Sequence, residues 1–542
     1  MRRLLVIWLV VTAVTGGGAA WAATIKGSDG ADRLTGTPRP DAIFGHGGND
    51  TITGLAGNDL IDGGLGRDSL TGGTGADRIW SAQDATRDTV ACGGGRDLAG
   101  ADLSDSVARD CETVVRQLSR DGLSAPDAQH ETQVEPASAA FGRTIVATFQ
   151  SGRYAGGGAA GIGYATSADG GNTWRSGSLP GLTIFSTPSG PNILASDPSV
   201  AYDAVHKVWL IVTLAATYES WGLYVSRSKD GITWSLPVQA VLSRPGGVDK
   251  EWVTCDGWRS SPLRGRCYIS YLDVQRKQIA TTTSTNGGLA WTVPVVPPGP
   301  IPPTAANGAQ PLVQPNGALV VLYSSLYGPS VVDDEILAAR STDGGETFSA
   351  PTRVARVWLE DVYELRSPAL PAGGVDASGR LYAVWQDCRF SEGCDVVDLV
   401  LSTSRDGITW SAPARIPTTT LGSRIHSLVP GFAADPATAG STARLALVYY
   451  TLPHDCVLQV SCPGIDAYTI SSQNGGAAWT RPERLSVEPM RFTWIADSSL
   501  GRMLGDYMGM SFTRGRAVPI FSLASEPASD STFRQSIFAR VR

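Results

Sequence analysis

Short runs of apolar and β-branched residues recur along most of the chain, and polar turn residues separate them. Such runs favour β-strands, because these side chains pack well on a pleated surface. The clearest runs lie at residues 144–149, 208–214, 267–272, 319–324, 381–385 and 445–450. A further set follows at residues 508–512, 518–523 and 536–541. The pattern predicts an all-β chain.

A turn pattern, S-x-D-x-G-x-T-W/F, lies between these predicted strands and is complete at Ser341 to Phe348. Its acidic or amide position recurs at Asp169, Asp230, Asn286, Asp343, Asp406 and Asn474. Asp and Asn accept backbone N–H groups two residues on, and Gly supplies a positive φ, so each copy predicts a hairpin turn. A repeat of about 60 residues flanked by strands predicts a propeller. Counting the strand sets gives seven blades, with six as the alternative.

These turns resemble the Asp-box (BNR) repeats of the sialidase superfamily over residues 125–542. The resemblance implies a β-propeller whose site lies at one mouth of the central channel. In that family three Arg hold a substrate carboxylate, and a Tyr nucleophile works with Glu and Asp. The place of the family's first Arg is taken here by Glu135, and residues 154–164 contain no acid.

Candidate catalytic residues come from the loops that enter inner strands or follow second strands. These loops carry Arg153, Arg366, Asp387, Arg389, Asp506 and Tyr507. Since the family's first Arg is replaced, we expect a propeller that binds a glycan or another polymer. An exo-acting glycoside hydrolase of the exo-α-sialidase type is the alternative. A structural surface protein without a ligand is a further alternative.

A second repeat, with a period of nine residues, occupies residues 27–80. Each unit has Gly in its turn, an Asp, and an apolar residue two positions after the Asp. The apolar residues would face the inside of a narrow coil, while the Asp side chains would stack from turn to turn and repel one another without a cation. Ca²⁺ binds six to eight oxygens from carboxylates and backbone carbonyls, which suits such stacked turns.

This repeat resembles the RTX, or haemolysin-type, nonapeptide G-G-x-G-x-D-x-U-x, which implies a calcium-loaded parallel β-roll. The resemblance implies calcium as the cofactor and assigns five ligands, Asp32, Asp50, Asp59, Asp68 and Asp77. The turn that begins at Gly36 contains Pro38 and Pro40 and lacks the second Gly. We therefore expect no site there.

Residues 1–22 have the form of a secretory signal peptide, with Arg2 and Arg3 before an apolar run and Ala20-Trp21-Ala22 as the cleavage site. The predicted order is a signal peptide at 1–22, a β-roll at 23–116, a linker at 117–130 and the propeller at 131–542. No other apolar stretch approaches the 18 residues of a membrane span. We expect a secreted, extracellular bacterial protein that is monomeric.

Composition adds two constraints. The net charge of −7 argues against nucleic acid as a partner. Eight cysteines fall into four close pairs, and neighbour pairing gives the simplest of the 105 connectivities. We expect disulfides between Cys92 and Cys111, Cys255 and Cys267, Cys388 and Cys394, and Cys456 and Cys462. Export to an oxidising compartment is consistent with this pairing.

Overall fold

The computed structural model describes residues 21–299, 306–325, 334–359, 362, 364–458, 462–529 and 532–542. The described chain is all-β apart from four short 3₁₀ helices, as the pattern of apolar runs predicted. Those helices are Glu392–Cys394, Gly440–Thr442, His454–Leu458 and Phe492–Trp494. The predicted signal peptide lies almost wholly outside the described residues.

The chain divides into two compact units. One contains the residues up to Gln117 together with Leu485–Pro489 and Arg540–Arg542, and the other contains Leu118–Arg484 and Met490–Ala539. All four predicted cysteine pairs form disulfides. In the described residues, no helix is both long and apolar enough to cross a membrane.

The first unit is a coil of two parallel sheets, whose strands alternate along the chain. Its strands are β1 (Ala23–Lys26), β2 (Arg33–Thr35), β3 (Asp41–Phe44), β4 (Thr51–Ala56), β5 (Leu60–Asp62), β6 (Ser69–Thr74), β7 (Arg78–Ser81), β8 (Thr89–Gly94), β9 (Leu98–Ala101), β10 (Ser106–Val107) and β11 (Thr113–Gln117). Odd-numbered strands pair in parallel in one sheet, and even-numbered strands pair in parallel in the other. One turn of the coil is therefore two nonapeptides.

The apolar position of each nonapeptide fills the inside of this coil. Ile43, Ile52, Ile61 and Ile79 are fully buried there, in one cluster with the Cys92–Cys111 disulfide. A nine-residue period therefore places one branched side chain per half turn against the neighbouring sheet. The cluster therefore runs through successive turns of the coil.

The second unit consists of successive antiparallel meanders. The first three contain β12 (Gln129–Phe141), β13 (Thr144–Arg153), β14 (Ala159–Ser167) and β15 (Arg175–Ser178); β16 (Leu194–Asp203), β17 (Val208–Ala216), β18 (Trp221–Ser228) and β19 (Val238–Ser243); and β20 (Val248–Cys255), β21 (Cys267–Asp273) and β22 (Gln278–Ser284). The next three contain β23 (Ala306–Val313), β24 (Leu319–Ser325), β25 (Glu335–Ser341) and β26 (Thr352–Arg356); β27 (Ala372–Val375), β28 (Leu381–Asp387), β29 (Asp398–Ser404) and β30 (Ala414–Arg415); and β31 (Ile425–Ala434), β32 (Leu445–Pro453), β33 (Asp466–Ser472) and β34 (Glu483–Arg484). A short hairpin of β35 (Asp497–Ser498) and β36 (Gly501–Arg502) precedes a last meander of β37 (Gly509–Thr513), β38 (Arg516–Ser529) and β39 (Thr532–Arg540).

The core of this unit lies between successive meanders. Leu214 of the second meander and Val253 of the third share one buried cluster. Leu322 of the fourth and Trp385 of the fifth share another. The start of β12 pairs in parallel with β39, which joins the first meander to the last.

The recurrent turn pattern forms the link after the third strand of a meander. In the copy at Ser341, the Oδ1 atom of Asp343 accepts the backbone N–H groups of Glu346 and Thr347 at 3.1 and 3.0 Å, and the Ser341 hydroxyl donates to the same oxygen. In the copy with an amide, Asn286 Oδ1 accepts two backbone N–H groups in the same way. The side-chain oxygen, rather than the charge, therefore defines the turn.

Candidate functional site

The aspartates of the roll form two ladders that run from turn to turn. In each ladder one oxygen of a carboxylate accepts the backbone N–H of the acid one turn earlier, at 2.7–2.9 Å. One ladder is Asp32, Asp50, Asp68, Asp88 and Asp105, and the other is Asp41, Asp59, Asp77, Asp97 and Glu112. The ladders fix every carboxylate after Asp32 and Asp41 against the backbone of the preceding turn.

The second oxygen of most of these carboxylates is buried and lacks a hydrogen bond. Within the described residues, Oδ2 has no partner in Asp50, Asp59, Asp68, Asp77, Asp88 and Asp97. Each of these residues is at most 2 % exposed. A buried carboxylate oxygen without a partner is costly, so this row favours protonation or a bound cation.

The roll residues fit calcium. Ca²⁺ supplies the positive charge that the row of buried oxygens lacks and accepts carboxylate and carbonyl oxygens together. Among the described residues, no three His, Cys, Asp or Glu side chains cluster closely enough to hold a metal. The carboxylates would therefore share each ion with backbone carbonyls. When bound, calcium would neutralise the ladder, while the chain's own N–H groups hold the carboxylates in place.

The electrostatics of the ladder agree with this fit. Burial, and then the neighbouring carboxylates of the ladder, raise the pKa of Asp77 to about 6. Burial and nearby carboxylates likewise raise the pKa of Asp88 to about 8. In both cases the backbone N–H that the carboxylate accepts acts in the opposite direction. Four of the five predicted ligands, Asp50, Asp59, Asp68 and Asp77, have the open oxygen, whereas Ser28 donates to Oδ2 of Asp32 at 2.8 Å.

In the second unit, five inner strands share one irregularity. Each contains a β-bulge in which two residues lie opposite one residue of the next strand. The first bulge residue has a positive φ of 47–65° in every case: Glu135, Asp197, Lys250, Gly308 and Val429. Non-glycine residues rarely adopt this conformation, and its concentration at one position per strand marks a site rather than random strain.

Three of these bulge residues meet at a buried ammonium group. Lys250 Nζ lies 2.6 Å from Asp197 Oδ1, 2.8 Å from Glu135 Oε1 and 2.7 Å from Asp506 Oδ2. Lys250 is only 7 % exposed, and all three acids are buried as well. We call these four residues with Arg366 the charge network. These residues are distant in sequence but occupy similar places in different meanders. Glu135, Asp197 and Lys250 lie at the bulge of an inner strand, and Asp506 lies just before the strand β37.

Arg366 completes the charge network at Asp506, where it shares Oδ2 with Lys250. Its Nε and Nη2 atoms donate to the two oxygens of Asp506 at 2.7 and 2.5 Å. Such a fork is a strong ion pair because it combines charge with two parallel hydrogen bonds. Burial alone would raise the pKa of Asp506, but Lys250 and Arg366 hold that pKa below its usual range. Burial also dominates at Glu135 and raises its pKa to about 7.

Tyr507 lies next to the charge network. Its hydroxyl donates to the Pro198 carbonyl at 3.3 Å, and its ring meets the Trp252 ring edge-to-face at 5.0 Å. Lys250 Nζ lies 5.5 Å from the centre of the Tyr507 ring. Burial raises the pKa of Tyr507 above its usual range, and the nearby carboxylates raise it further. The phenol is therefore neutral and engaged at ordinary pH.

The remaining predicted residues divide into two groups. Arg153 is buried within electrostatic range of Glu135, Arg366 and Asp506, and its Nη1 donates to the carbonyls of Tyr154 and Asp497 at 2.6 and 3.0 Å. Asp387 and Arg389 instead pair with each other, Nε to Oδ1 at 2.8 Å and Nη2 to Oδ2 at 2.7 Å. No hydrogen bond or ion pair in the described residues connects that pair to Asp506. The structure thus gathers Arg153, Arg366, Asp506 and Tyr507 and leaves Asp387 and Arg389 apart.

The candidate list from the sequence omitted Glu135, Asp197 and Lys250. A signal was available for two of them, since Glu135-Pro136 and Asp197-Pro198 stand at the same place in successive repeats. Acid-Pro pairs are also common turn starters, so the signal alone was weak. Lys250 has no such mark, because a positive φ at a non-glycine residue cannot be read from the sequence.

A cavity of about 540 Å³ opens beside the charge network among the inner strands. Its lining runs from Lys250 and Asp506 to aromatic residues at the C-terminal ends of inner strands, where Phe141 and Tyr202 stack with ring centres 4.2 Å apart. The size and the mostly apolar wall with a few charged groups are typical of sites for small molecules. Aromatic rings in such a wall offer flat surfaces for stacking.

Comparisons with known proteins identify the repeats of the roll. Residues 26–61 and 53–86 match the family model of the RTX calcium-binding nonapeptide repeat. No curated protein is similar in sequence to this chain. The match covers the nonapeptides predicted from the nine-residue period, so their calcium-binding class is confirmed.

Solved structures with a similar fold include several glycoside hydrolases. The Hadza microbial sialidase Hz136 is 15 % identical, with a TM-score of 0.40, over 79 % of this chain and 68 % of that chain. A point mutant of NanB sialidase from Streptococcus pneumoniae is 12 % identical, with a TM-score of 0.40, over 78 % and 70 %. The α-L-arabinofuranosidase Arb93A from Fusarium graminearum is 10 % identical, with a TM-score of 0.38, over 64 % and 92 %. At these values the similarities say nothing about activity; residues 26–86 alone are identified, as RTX calcium-binding repeats.

Proposed function

We propose that this protein is exported and calcium-binding, and that its second unit is a seven-bladed propeller that binds a glycan or another polymer outside the cell. The observation that carries the proposal is the row of six buried aspartate oxygens without a protein partner, whose stacked charge a bound cation would neutralise. Outside the cell, calcium is abundant enough for sites of modest affinity, about 10⁻⁴–10⁻³ M, to fill. The roll would then become rigid after export.

The ligand-binding half of the proposal rests on the cavity and on the state of its charged groups. Aromatic side chains in the wall can stack on sugar rings, while the paired charges of Lys250 and Asp506 make one side of the wall polar. Arg366 uses two of its donors on Asp506, and the Tyr507 hydroxyl already donates to a carbonyl. A sialidase-type grip would need free Arg donors and a reactive Tyr, so this arrangement favours binding over hydrolysis.

A glycoside hydrolase is the second candidate, and one observation favours it. Glu251 and Asp506 both line the cavity. Burial raises the pKa of Glu251 well above its usual value, whereas Lys250 and Arg366 hold that of Asp506 low. Two carboxyl groups in opposite protonation states are the combination that general acid catalysis uses.

The first experiment separates these two functions. The mature protein, with and without calcium, is applied to a glycan array and to a panel of fluorogenic glycosides that includes a sialoside. Binding on the array without turnover supports the proposal. Turnover that disappears in Arg366→Ala or Tyr507→Phe would replace it with the hydrolase.

A matched pair of variants tests whether the cavity holds the ligand. Phe141 lines the cavity and is 51 % exposed, so Phe141→Ala removes a stacking surface at little cost to folding. Tyr218 is 85 % exposed and lies outside the cavity lining, so Tyr218→Ala is the control. Loss of array binding in the first variant alone places the ligand in the cavity. Equal binding by both variants would remove the cavity from the proposal.

A further inference from the structure

Three acids of the two ladders differ from the others at their second oxygen. Ser28 Oγ donates to Asp32 Oδ2 at 2.8 Å, and Thr37 Oγ1 donates to Asp41 Oδ2 at 2.9 Å. Ser81 Oγ donates to Asp105 Oδ2 at 3.0 Å. At these three acids a hydroxyl proton takes the place that is left open in the six acids between them.

The turns in which a hydroxyl donates to the Asp also differ from the other turns in their backbone conformation. Ser28 and Thr37 follow the first Gly of their nonapeptides, and each also donates its backbone N–H to the same Asp oxygen, at 2.6 and 2.5 Å. In the next four nonapeptides the corresponding position has a positive φ, at His46, Leu55, Gly64 and Gly73, whereas Ser28 and Thr37 do not. The turns with a hydroxyl and the turns with an open oxygen are therefore two distinct conformations.

The left-handed conformation has a cost at His46 and Leu55, because neither is Gly. Such strain persists where the surroundings require it and is concentrated at ligand sites. In the turns of Ser28 and Thr37 no such cost arises, since the hydroxyl and the N–H both donate to Oδ2 of the Asp. Asp41 Oδ1, which accepts no N–H from an earlier turn, stays buried without a partner. The strained turns are those in which the Asp oxygen stays open for another partner.

We infer that the calcium tract of the roll is bounded at both ends by hydroxyl groups. Calcium ions bind at the Oδ2 atoms of Asp50, Asp59, Asp68, Asp77, Asp88 and Asp97, and none binds at the Oδ2 atoms of Asp32, Asp41 and Asp105, which already accept a hydroxyl. The inference rests on the proposed calcium binding. It adds Asp88 and Asp97, which lie beyond the matched residues 26–86, and it removes Asp32 from the predicted ligands.

The physical reason is that a buried carboxylate oxygen needs a single strong partner. A hydroxyl that is already in place supplies a hydrogen bond without loss of a hydration shell, whereas calcium at the same oxygen would have to displace it. Extra residues between Asp77 and Asp88 lengthen the ladder spacing from 18 to 20 residues, yet the ladder bonds to Asp88 and Asp97 stay at 2.7 and 2.8 Å. The nine-residue repeat is interrupted there, but Asp88 and Asp97 each keep a buried Oδ2 without a partner.

The test counts calcium ions in the mature protein by native mass spectrometry and by calorimetric titration. Asp88→Asn and Asp97→Asn keep a side-chain oxygen for the ladder N–H but remove the charge, and each is expected to lower the count by at least one ion. Asp32→Asn is the matched control and is expected to leave the count unchanged. Circular dichroism in calcium verifies that each variant folds.

A gain-of-binding variant tests the hydroxyl directly. The double variant Ser28→Gly with Thr37→Gly removes both hydroxyls, and it is expected to bind more calcium than the unmodified protein. An unchanged count would overturn the role of the hydroxyls. A loss in Asp32→Asn equal to that in Asp88→Asn would overturn the boundary, whereas an unmodified protein that binds no calcium would overturn the proposed function together with the inference.

Discussion

The ammonium group of Lys250 lies 2.6 Å from Oδ1 of Asp197, and the two residues occupy the same bulge position in successive inner strands. Lys250 also contacts Glu135 and Asp506, so it carries the positive charge on which three buried acids depend. A buried charge is tolerated only when it is paired, and removal of one partner leaves the others uncompensated. The charge network is therefore sensitive to a single substitution.

We predict that Lys250→Met destabilises the second unit by about 3–5 kcal/mol, because it leaves buried acids without their cation. Urea unfolding followed by tryptophan fluorescence measures the change. Arg353→Met is the control: its pair with Glu335 is half-exposed, so the loss should stay below about 1 kcal/mol. Equal losses in both variants would contradict the dependence on Lys250.

The calcium-free roll should become less stable as the pH rises. Burial raises the pKa of Asp68 from 3.8 to about 6 and that of Asp88 to about 8. The folded roll therefore binds these protons more tightly than the unfolded chain, so the stabilisation is complete below about pH 4 and is lost between about pH 4 and 8. Amide exchange in the roll, measured in a chelator at about pH 5 and about pH 8, checks this.

Calcium should reverse that trend, because it binds the ionised carboxylates and competes with protons. With calcium present, the roll should keep its protection at the higher pH. The second unit serves as an internal control, since its exchange should not respond to calcium. Protection of the roll at the higher pH in the chelator would contradict the prediction.

The turn pattern predicts that the side-chain oxygen of Asp343 contributes more to stability than its negative charge. Asp343→Ala removes the acceptor of two backbone N–H groups and should cost about 1 kcal/mol. Asp343→Asn should cost clearly less, because Asn286 and Asn474 already hold equivalent turns in this chain. Chemical denaturation of both variants gives the comparison. A larger loss for Asn than for Ala would show that charge matters more than the oxygen.

The disulfide in the roll closes a loop with a sequence separation of 19 residues. Its removal in the double variant Cys92→Ala with Cys111→Ala should cost about 3 kcal/mol, chiefly through the freedom regained by the unfolded chain. Thermal unfolding of the roll in calcium measures the loss. The Cys456–Cys462 bridge, outside the roll, is the control, and its removal should leave the roll transition unchanged.

The strands, the turns and the four disulfides follow from local sequence signals, and the structure agrees with them. The apolar run at 445–450 lies within β32, for instance, and the turn at Ser341 forms the predicted hairpin link. These features depend on residues that are close in sequence, and their spacing allows only a few backbone conformations. The nine-residue period predicted the roll for the same reason.

The centre of the candidate site could be predicted only in part. Arg366, Asp506 and Tyr507 were expected near one another, whereas Lys250 was not, because its role comes from a bulge with positive φ. Asp387 and Arg389 were expected to join them but pair with each other two residues apart. An Arg can pair with an acid two residues away or with an acid that is distant in sequence. Nothing in the sequence shows which of these two pairings forms.

The bulge that recurs in five inner strands has a consequence for the way this fold can change. The same backbone conformation holds Glu135, Asp197, Lys250, Gly308 and Val429, so it accepts acidic, basic, apolar and absent side chains alike. Substitutions at these positions can therefore change the chemistry of the charge network and the cavity one strand at a time, while the backbone stays the same. Related chains could differ greatly in specificity through substitutions at a handful of equivalent positions, while their strands and turns stay the same.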